Sequence, residues 1–301
     1  MSSPLRSILI IARNELSDSI RSRRTAVLLL LYLLGGLAAS YIFVKTLQKI
    51  EAQVAESLGV QAVQQAGSVT AALWKSSGFR HVLIRLAGDK ELAESLLSIP
   101  PLALFYGWLA FTFSPLLIML TASSRMAEEV WAGSVRFVLF RASRAAWCIG
   151  KFIGQALQLL LALLLSAAGA WCMGRLLMGS FAPLANAAAM LVFVGKAWLY
   201  TFAYLGLASA ISLLCRSPNL ATALAVVALT VMAVLSRAAH FLAGAGWRRI
   251  WDFVELLTPA GHHNGLWHFD AAHLVPSAVY LLGLGCLYLL AGCAVMERRD
   301  V

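Results

Sequence analysis

Residues 125–136 read RMAEEVWAGSVR and separate two long apolar runs, Leu102–Thr121 and Ile149–Met173. Each run has about 20 to 25 residues, which at about 1.5 Å per helical residue is enough to cross the roughly 30 Å hydrocarbon core of a bilayer. The charged segment between them must then lie in water and join two membrane-spanning helices. Among the polar stretches of the chain, this one has the composition expected of a docking surface.

The composition of the whole chain also indicates a membrane protein. Of its 301 residues, 60% are hydrophobic and 13% are charged, and the mean hydropathy is +0.79. Soluble domains carry about 25% charged residues. No apolar run shows the strict alternation of an outer-membrane barrel strand. The sequence therefore predicts an all-α polytopic membrane protein with six transmembrane helices, at residues 25–44, 100–121, 148–173, 184–214, 219–235 and 274–296.

The positions of lysine and arginine predict the orientation of these spans. Residues 1–24 contain five arginines, and residues 122–151 contain five more basic side chains. Cytoplasmic loops are enriched in basic residues, so the N-terminal segment, the loop 122–147 and the tail 297–301 are predicted to be cytoplasmic. The net charge of +10 follows largely from this topology. The chain has no folded basic domain that would indicate a nucleic-acid partner.

The N-terminal segment 1–24 has the pattern of an amphipathic helix, with apolar side chains every three or four residues. The apolar positions are Leu5, Ile8, Leu9, Ala12, Leu16 and Ile20. The charged positions that fall among them along the chain are Arg13, Glu15, Asp18 and Arg21. We predict an interfacial helix that lies along the inner leaflet. The alternative is an arm whose arginines only keep the terminus in the cytoplasm.

Two longer segments are predicted on the outer side. Residues 45–99 continue a helical stripe beyond the first span and are interrupted by Gly67-Ser68 and Gly78, which predicts a small helical hairpin. This hairpin either caps the protein or binds a periplasmic partner or the substrate. Residues 236–273 include an aromatic-rich stretch, Trp247–Leu257, that is too short to cross. It is predicted to form short re-entrant helices, which are tolerated where protein covers the backbone.

Few side chains outside the charged loop are candidates for chemistry. Lys196 lies within a predicted span, so it is a candidate for lining a cavity together with Glu255; alternatively, Lys196 reaches the outer headgroups. Neutral imidazoles ligate zinc and copper, and four histidines cluster on the outer side. They are His262, His263, His268 and His273. Because their spacing matches no metal motif, we predict polar interface residues and no metal site.

The chain lacks the nucleotide-binding loop of an ATPase. That loop, G-x-x-x-x-G-K-[ST], wraps phosphates with backbone amides and needs both glycines. The Gly150-Lys151 pair has Ala145 at the position of the first glycine, and Gly195-Lys196 has Met190 there. We therefore expect no ATP hydrolysis by this chain alone.

The loop between the second and third spans resembles the signature of ABC-2-type permeases. That signature has the order Glu, Gly-Thr, Pro-x-x-Arg and Gly-Lys. The matching positions are Glu129, Gly133-Ser134, Arg136, Arg144 and Gly150-Lys151. The proline is missing, and the interval from glycine to arginine is one residue shorter than usual. Residues 12–15, Ala-Arg-Asn-Glu, and the charged C-terminal end are also similar to this family, so the resemblance extends over all six spans.

This resemblance implies a type V ABC transporter fold, as in the compact bacterial permeases of the inner membrane. Two six-span subunits, identical or homologous, would each be bound from the cytoplasm by a separate ATPase chain. That partner would hold ATP and Mg, and this chain would bind no cofactor. Its cargo would be a lipid-like, peptide or amphiphilic molecule that is exported or extruded.

Within that family, a short cytoplasmic coupling helix would transmit the movements of the ATPase, and we place it at Glu128–Leu139. The residues predicted to couple to the ATPase are Glu128, Glu129, Gly133, Arg136, Arg141 and Arg144. The interfacial helix would contact the same partner. Two other functions stay open: an integral membrane enzyme or metal-handling protein that uses the outer histidines, and a scaffold that transmits force without moving cargo.

Small residues predict where helices approach each other. Gly150 and Gly154 form one small-residue face and Gly206 and Ala210 another, and both are expected to pack within one subunit. Contact between two copies is expected, partly from the family resemblance, along the first span and the end of the fifth.

Overall fold

The computed structural model describes residues 4–57, 90–179, 181–242 and 256–298, and every regular element within these ranges is helical. The all-α prediction is therefore confirmed. The helices are α1 (Pro4–Arg21), α2 (Arg23–Ser57), α3 (Lys90–Leu97), α4 (Pro101–Ala122), α5 (Arg125–Trp131), α6 (Val135–Leu139), α7 (Arg144–Leu177), α8 (Pro183–Leu214), α9 (Pro218–Leu242) and α10 (Ala271–Glu297). Two 3-10 turns, Pro259–His262 and Asn264–Leu266, precede α10.

Six of these helices, α2, α4, α7, α8, α9 and α10, are long and apolar enough to cross a bilayer. This confirms a polytopic membrane protein with six spans. Four of the six helices, α2, α7, α9 and α10, are several residues longer than the spans predicted for them. The 34 residues of α7 extend over about 51 Å, so this helix projects beyond the roughly 30 Å hydrocarbon core. The first turns of α7 place polar side chains next to the segment between α4 and α7.

Helix α8 forms the centre of the bundle and packs along α10 and α4. At its crossing with α10, a Cβ added to Gly206 would overlap the backbone of Gly285, and a Cβ on Gly292 would lie 2.8 Å from the Cα of Ala210. Small residues on both helices therefore allow this close approach. The helices α2 and α9 are far less covered, with 17% and 11% of their most apolar windows buried.

Helix α1 lies against the first turns of α7. A Cβ on Gly150 would lie 2.8 Å from the Cβ of Ile11, and one on Gly154 would lie 2.8 Å from the carbonyl oxygen of Ala12. Both small-residue faces thus pack within the chain, as expected. The end of the bundle that contains α1, α5 and α6 is called the α1 end below.

The prediction of one coupling helix at Glu128–Leu139 is wrong. The segment forms two helices, α5 and α6, separated by a turn at residues 132–134. Gly133 has a φ of 70°, in the left-handed region that favours glycine and ends helices. A Cβ at this position would have no atom within 4 Å, so the backbone angle, and not a close approach, requires glycine.

Parts of the outer predictions lie outside the described residues. They include residues 58–89 of the predicted hairpin and residues 243–255, with Glu255 and most of the aromatic-rich stretch. Helix α2 continues to Ser57, well beyond the predicted end of the first span, and α3 precedes α4 directly.

Candidate functional site

Lys151 on α7 is the centre of an ion cluster at the α1 end. Its ammonium contacts the carboxylate of Glu15 on α1 and the carboxylate of Glu129 on α5. Only 6% of Lys151 is exposed, and only 1% of Glu15. A single side chain therefore connects three helices through charges that are mostly shielded from water.

Arg125 completes the charge balance of this cluster. Its Nε lies 3.6 Å from Oε1 of Glu15, and its Nη2 donates to Ser19 Oγ at 2.9 Å. Two carboxylates are thus matched by two cations. Buried charges are tolerated only when they are paired and hydrogen-bonded, and removing one partner leaves the other uncompensated. The cluster therefore constrains α1, α5 and α7 to one arrangement.

The second carboxylate, Glu129, is also held by a tryptophan. Trp147 Nε1 donates to Glu129 Oε2 at 3.1 Å. Trp147 belongs to a buried apolar cluster to which five helices contribute, α5, α6, α7, α8 and α10. Its members are Met126, Val135, Trp147, Cys148, Leu213 and Met296. The polar and apolar contacts together hold α5 and α6 against the membrane-spanning helices α7, α8 and α10.

One ion pair and two hydrogen bonds also attach this end of the bundle. Arg24 at the start of α2 lies 3.7 Å from the carboxylate of Glu128 and donates to Thr222 on α9 at 3.0 Å. The backbone N–H of Ala127 donates to Ser212 Oγ on α8 at 2.9 Å. Since α5 contacts α2 and α8, its displacement must disturb several spans at once.

Arg144 faces the end of α10. Its Nη1 donates to the carbonyl oxygens of Met296 at 3.0 Å and Glu297 at 2.8 Å. These carbonyls lie in the last turn of α10, where backbone oxygens lack helical partners and favour a cation. The described contacts of this predicted coupling residue therefore join α7 to α10.

A cleft of about 760 Å³ opens between α1 and the α6 region. Its floor includes Glu15, Glu129 and Lys151, and its walls include Asp18 and Arg141. Large aromatic side chains stand exposed around it. Those that line it are Phe137, 78% exposed, and Phe140, 85%, and Trp131 at the end of α5 is 71% exposed. Exposed apolar groups rimmed by charges are typical of a protein interaction surface.

The predicted coupling and interfacial residues therefore divide into two groups. Glu15, Glu128, Glu129 and Arg144 make contacts within the chain, whereas Arg13, Asp18, Arg21, Gly133, Arg136 and Arg141 are exposed or partly exposed. Lys151, Arg125 and Trp147 were not predicted as site residues. The signal for Lys151 was present, because it stands in the Gly-Lys element of the loop signature and inside a predicted span, where a cation needs a carboxylate or water.

Lys196 lies near the middle of α8 and is 3% exposed. Its Nζ donates to the carbonyl oxygen of His268 at 2.9 Å and lies 3.4 Å from the ring centroid of Phe269. The side chain is therefore covered by the segment before α10. The cation is stabilised by a carbonyl dipole and an aromatic face.

The outer histidines occupy three separate environments. His262 stacks on Tyr280 with ring centroids 3.8 Å apart, and His268 stacks on His273 at 4.6 Å. His263 lies among Phe111, Tyr200 and Trp267. Within the described ranges, no three potential ligands come together to hold a metal ion.

Burial lowers the pKa of His263 from 6.5 to about 4, because an apolar environment disfavours the imidazolium. Trp267 Nε1 donates to His263 Nε2 at 3.3 Å, which requires that nitrogen to be unprotonated. His263 is therefore a neutral aromatic packing residue at neutral pH.

Comparison with curated proteins finds no match. The family model described as ABC-2 family transporter protein matches residues 9–300. That range contains the ion cluster, the cleft and all six membrane-length helices, and it agrees with the signature in the loop between α4 and α7. The chain therefore belongs to the ABC-2 transporter family and is a multi-pass permease subunit.

Proposed function

We propose that this chain is the permease subunit of an ATP-driven exporter of the bacterial inner membrane, with both termini in the cytoplasm. A separate ATPase chain docks on α5, α6 and the cleft beside α1. ATP and Mg are held by that partner. The observation that carries the proposal is the bridge that Lys151 makes between Glu15 and Glu129, because it connects the docking elements to a membrane span.

The bridge supports a direct mechanical connection. Nucleotide-driven movement of the ATPase displaces α5 and α6, and the contacts of Glu129 with Lys151 and Trp147 transfer this displacement to α7. The bond from Ala127 to Ser212 transfers it to α8. Since α8 is the centre of the bundle, a small movement at the α1 end changes the packing of the other spans.

The exposed aromatics supply the docking energy. Phe137 and Phe140 flank the cleft and are 78% and 85% exposed, so both can be buried by a partner. Interface energy is concentrated in a few aromatic and arginine side chains. Arg136 and Arg141 beside them add charge that orients the encounter.

The cargo is proposed to be lipid-like, peptide or amphiphilic, and a second permease copy completes the pathway. The low burial of α2 and α9 supports the second copy. Only 17% and 11% of their most apolar windows are buried, so their apolar faces stay available for another subunit. The exposed apolar side chains on these faces include Leu31, Leu34, Val227 and Val231.

The test is copurification of the tagged chain with a nucleotide-binding ATPase, followed by ATPase measurements in vesicles. A Phe137→Ser, Phe140→Ser double variant is expected to weaken the complex at least about tenfold. The control is Leu184→Ser, an equally exposed apolar residue at the other end of the bundle, 85% exposed. Unchanged ATPase binding by the double variant would refute the docking surface. Binding without any stimulation by amphiphiles would favour the force-transmitting scaffold.

A further inference from the structure

A second cleft, of about 300 Å³, lies where α1 meets α2 and α7. It is lined mainly by leucine, isoleucine and alanine side chains. Four of them are also well exposed on the surface of the chain, which shows that the cleft opens outward. They are Ile20, 57% exposed, Leu30, 55%, Leu161, 42%, and Leu165, 49%.

One polar side chain, Gln158, lines this otherwise apolar cleft. It is 5% exposed and has no hydrogen bond among the described residues. A buried amide without a partner is unfavourable. An occupant with a hydrogen-bond acceptor near Gln158 would satisfy the amide N–H groups.

The depth of Gln158 indicates what that acceptor is. Gly154, one turn earlier on α7, touches α1 at Ala12 and Glu15. Gln158 lies one turn, about 6 Å, further along α7, at the level where Leu16 and Ile20 of α1 line the same cleft. For an amphipathic helix at the inner leaflet, this is the depth at which phospholipid ester carbonyls give way to acyl chains.

Two arginines stand where the cleft meets the α1 end. Arg23 precedes Ala26 by one turn and therefore projects toward the same side of α2, and Arg21 lies two residues earlier, at the junction of α1 and α2. Both are exposed and form no ion pair within the described part of the chain. Arg24 differs, because it lies 3.7 Å from Glu128. The uncompensated charge of Arg21 and Arg23 favours an anionic headgroup.

We propose that this cleft binds one anionic phospholipid of the inner leaflet. An acyl chain lies between α1, α2 and α7, an ester carbonyl accepts from the Gln158 amide, and the phosphate lies at Arg21 and Arg23. The bound lipid fills the gap between α1 and the spans and holds α1 against α7. This site is independent of the ATPase and of any cargo.

The test measures phospholipid retained by the purified full-length chain, using native mass spectrometry after detergent exchange with phosphatidylglycerol or phosphatidylcholine. We expect about one retained phosphatidylglycerol per chain and weaker retention of phosphatidylcholine. An Arg21→Gln, Arg23→Gln variant should bind phosphatidylglycerol on the order of tenfold more weakly. Arg6→Gln, an exposed arginine on the same helix and outside the cleft, should bind like the wild type.

Two variants test the cleft itself. Ala26→Trp fills it from an exposed position on α2 and should abolish retention. Gln158→Leu keeps the apolar shape and should reduce retention without lowering the Tm. Wild-type retention by a correctly folded Ala26→Trp protein would overturn the proposal. So would disulfide crosslinking of Leu161→Cys between two copies in the membrane, because a second subunit would then cover the cleft.

Discussion

Trp147 and Glu129 are joined by a hydrogen bond of 3.1 Å from the indole Nε1 to the carboxylate Oε2. The other oxygen of Glu129 contacts Lys151, one turn later on the same helix. Helix α7 therefore holds both oxygens of one carboxylate on α5. Rotation or sliding of α5 must break a contact with α7, which makes the pair a stiff connection.

Replacing Lys151 with methionine should destabilise the protein by about 3 to 5 kcal/mol, because Glu15 would remain buried without its main cation. The measurement is the Tm of the purified protein, together with protease sensitivity of α1. Adding Glu15→Gln should recover part of the loss, since the uncompensated carboxylate disappears. Arg136→Gln, on an exposed side chain, serves as the control. Equal Tm values for Lys151→Met and the wild type would contradict the role of the cluster.

Gly133→Val should disturb the turn between α5 and α6, because a β-branched residue is strained at a φ of 70°. The expected result is reduced ATPase-driven transport with normal membrane insertion, measured in vesicles. Gly133→Asn should be tolerated better, since asparagine adopts this conformation more easily. Gly195→Ala is a matched control, because a Cβ there has no atom within 4 Å. If the Gly133→Val variant transports at the wild-type rate, the turn between α5 and α6 is not needed for transport.

Gly206→Ala should destabilise the bundle by about 1 to 3 kcal/mol, because the added methyl group would overlap the backbone of Gly285. Backbone cannot move aside as a flexible side chain can. Thermal unfolding followed by size-exclusion chromatography measures the effect. Gly283→Ala on α10 is the control, since its Cβ would meet nothing within 4 Å. If both variants unfold at the same temperature, the close contact of α8 and α10 is not required.

Cysteines placed on the exposed faces of α2 and α9 should crosslink two copies in the membrane. Leu34 and Val231 are suitable positions, at 52% and 48% exposure. The readout is a dimer band after oxidation that disappears on reduction. Leu157→Cys on α7, where the native side chain is 45% exposed, is the comparison. Crosslinking through Leu157 alone would place the subunit contact on α7 instead.

The burial of His263 predicts acid sensitivity. Its pKa of about 4 in the folded protein lies below the 6.5 of an exposed histidine, so the unfolded chain binds the proton more readily between these values. Stability is therefore complete above pH 6.5 and falls as the pH decreases toward about 4. The difference corresponds to at most about 3 kcal/mol.

The predicted acid sensitivity is tested by measuring the Tm from pH 7 to pH 4. His263→Phe keeps the aromatic packing and should show a smaller decrease than the wild type. His273→Asn, at an exposed position, should follow the wild type. An identical pH dependence in all three proteins would show that other groups govern acid unfolding.

Most of the architecture could be predicted from hydropathy, because the length of an apolar run is fixed by the thickness of a bilayer. The helical class and the six spans were accessible in this way, and the family was accessible from the signature in the loop between the second and third spans. The division of the coupling segment into α5 and α6 was less accessible. A glycine in a charged stretch is compatible with a helix, and only the structure shows that Gly133 has a positive φ.

The ion cluster was only partly predictable. Glu129 and Lys151 stand in the recognisable loop signature, but the sequence could not indicate that Lys151 joins Glu129 to Glu15. Arg144 stands in the same signature but lies outside the cluster and binds the end of α10. Glu15 belongs to an amphipathic pattern in which charged residues are expected to face water, whereas it is 1% exposed. Its burial depends on Lys151, which is distant in the chain. A contact between two distant residues produces no periodic pattern in the sequence.

The bridge between Glu15 and Lys151 also limits the order in which the chain can assemble during synthesis. The two residues are separated by 136 positions, so the first two spans leave the ribosome before the cation exists. Until then, Glu15 lacks the ammonium of Lys151, and α1 has no α7 to lie against. The N-terminal helix can therefore reach its final place only after the third span has been made and inserted. A ribosome stalled before Lys151 should leave α1 accessible to proteases.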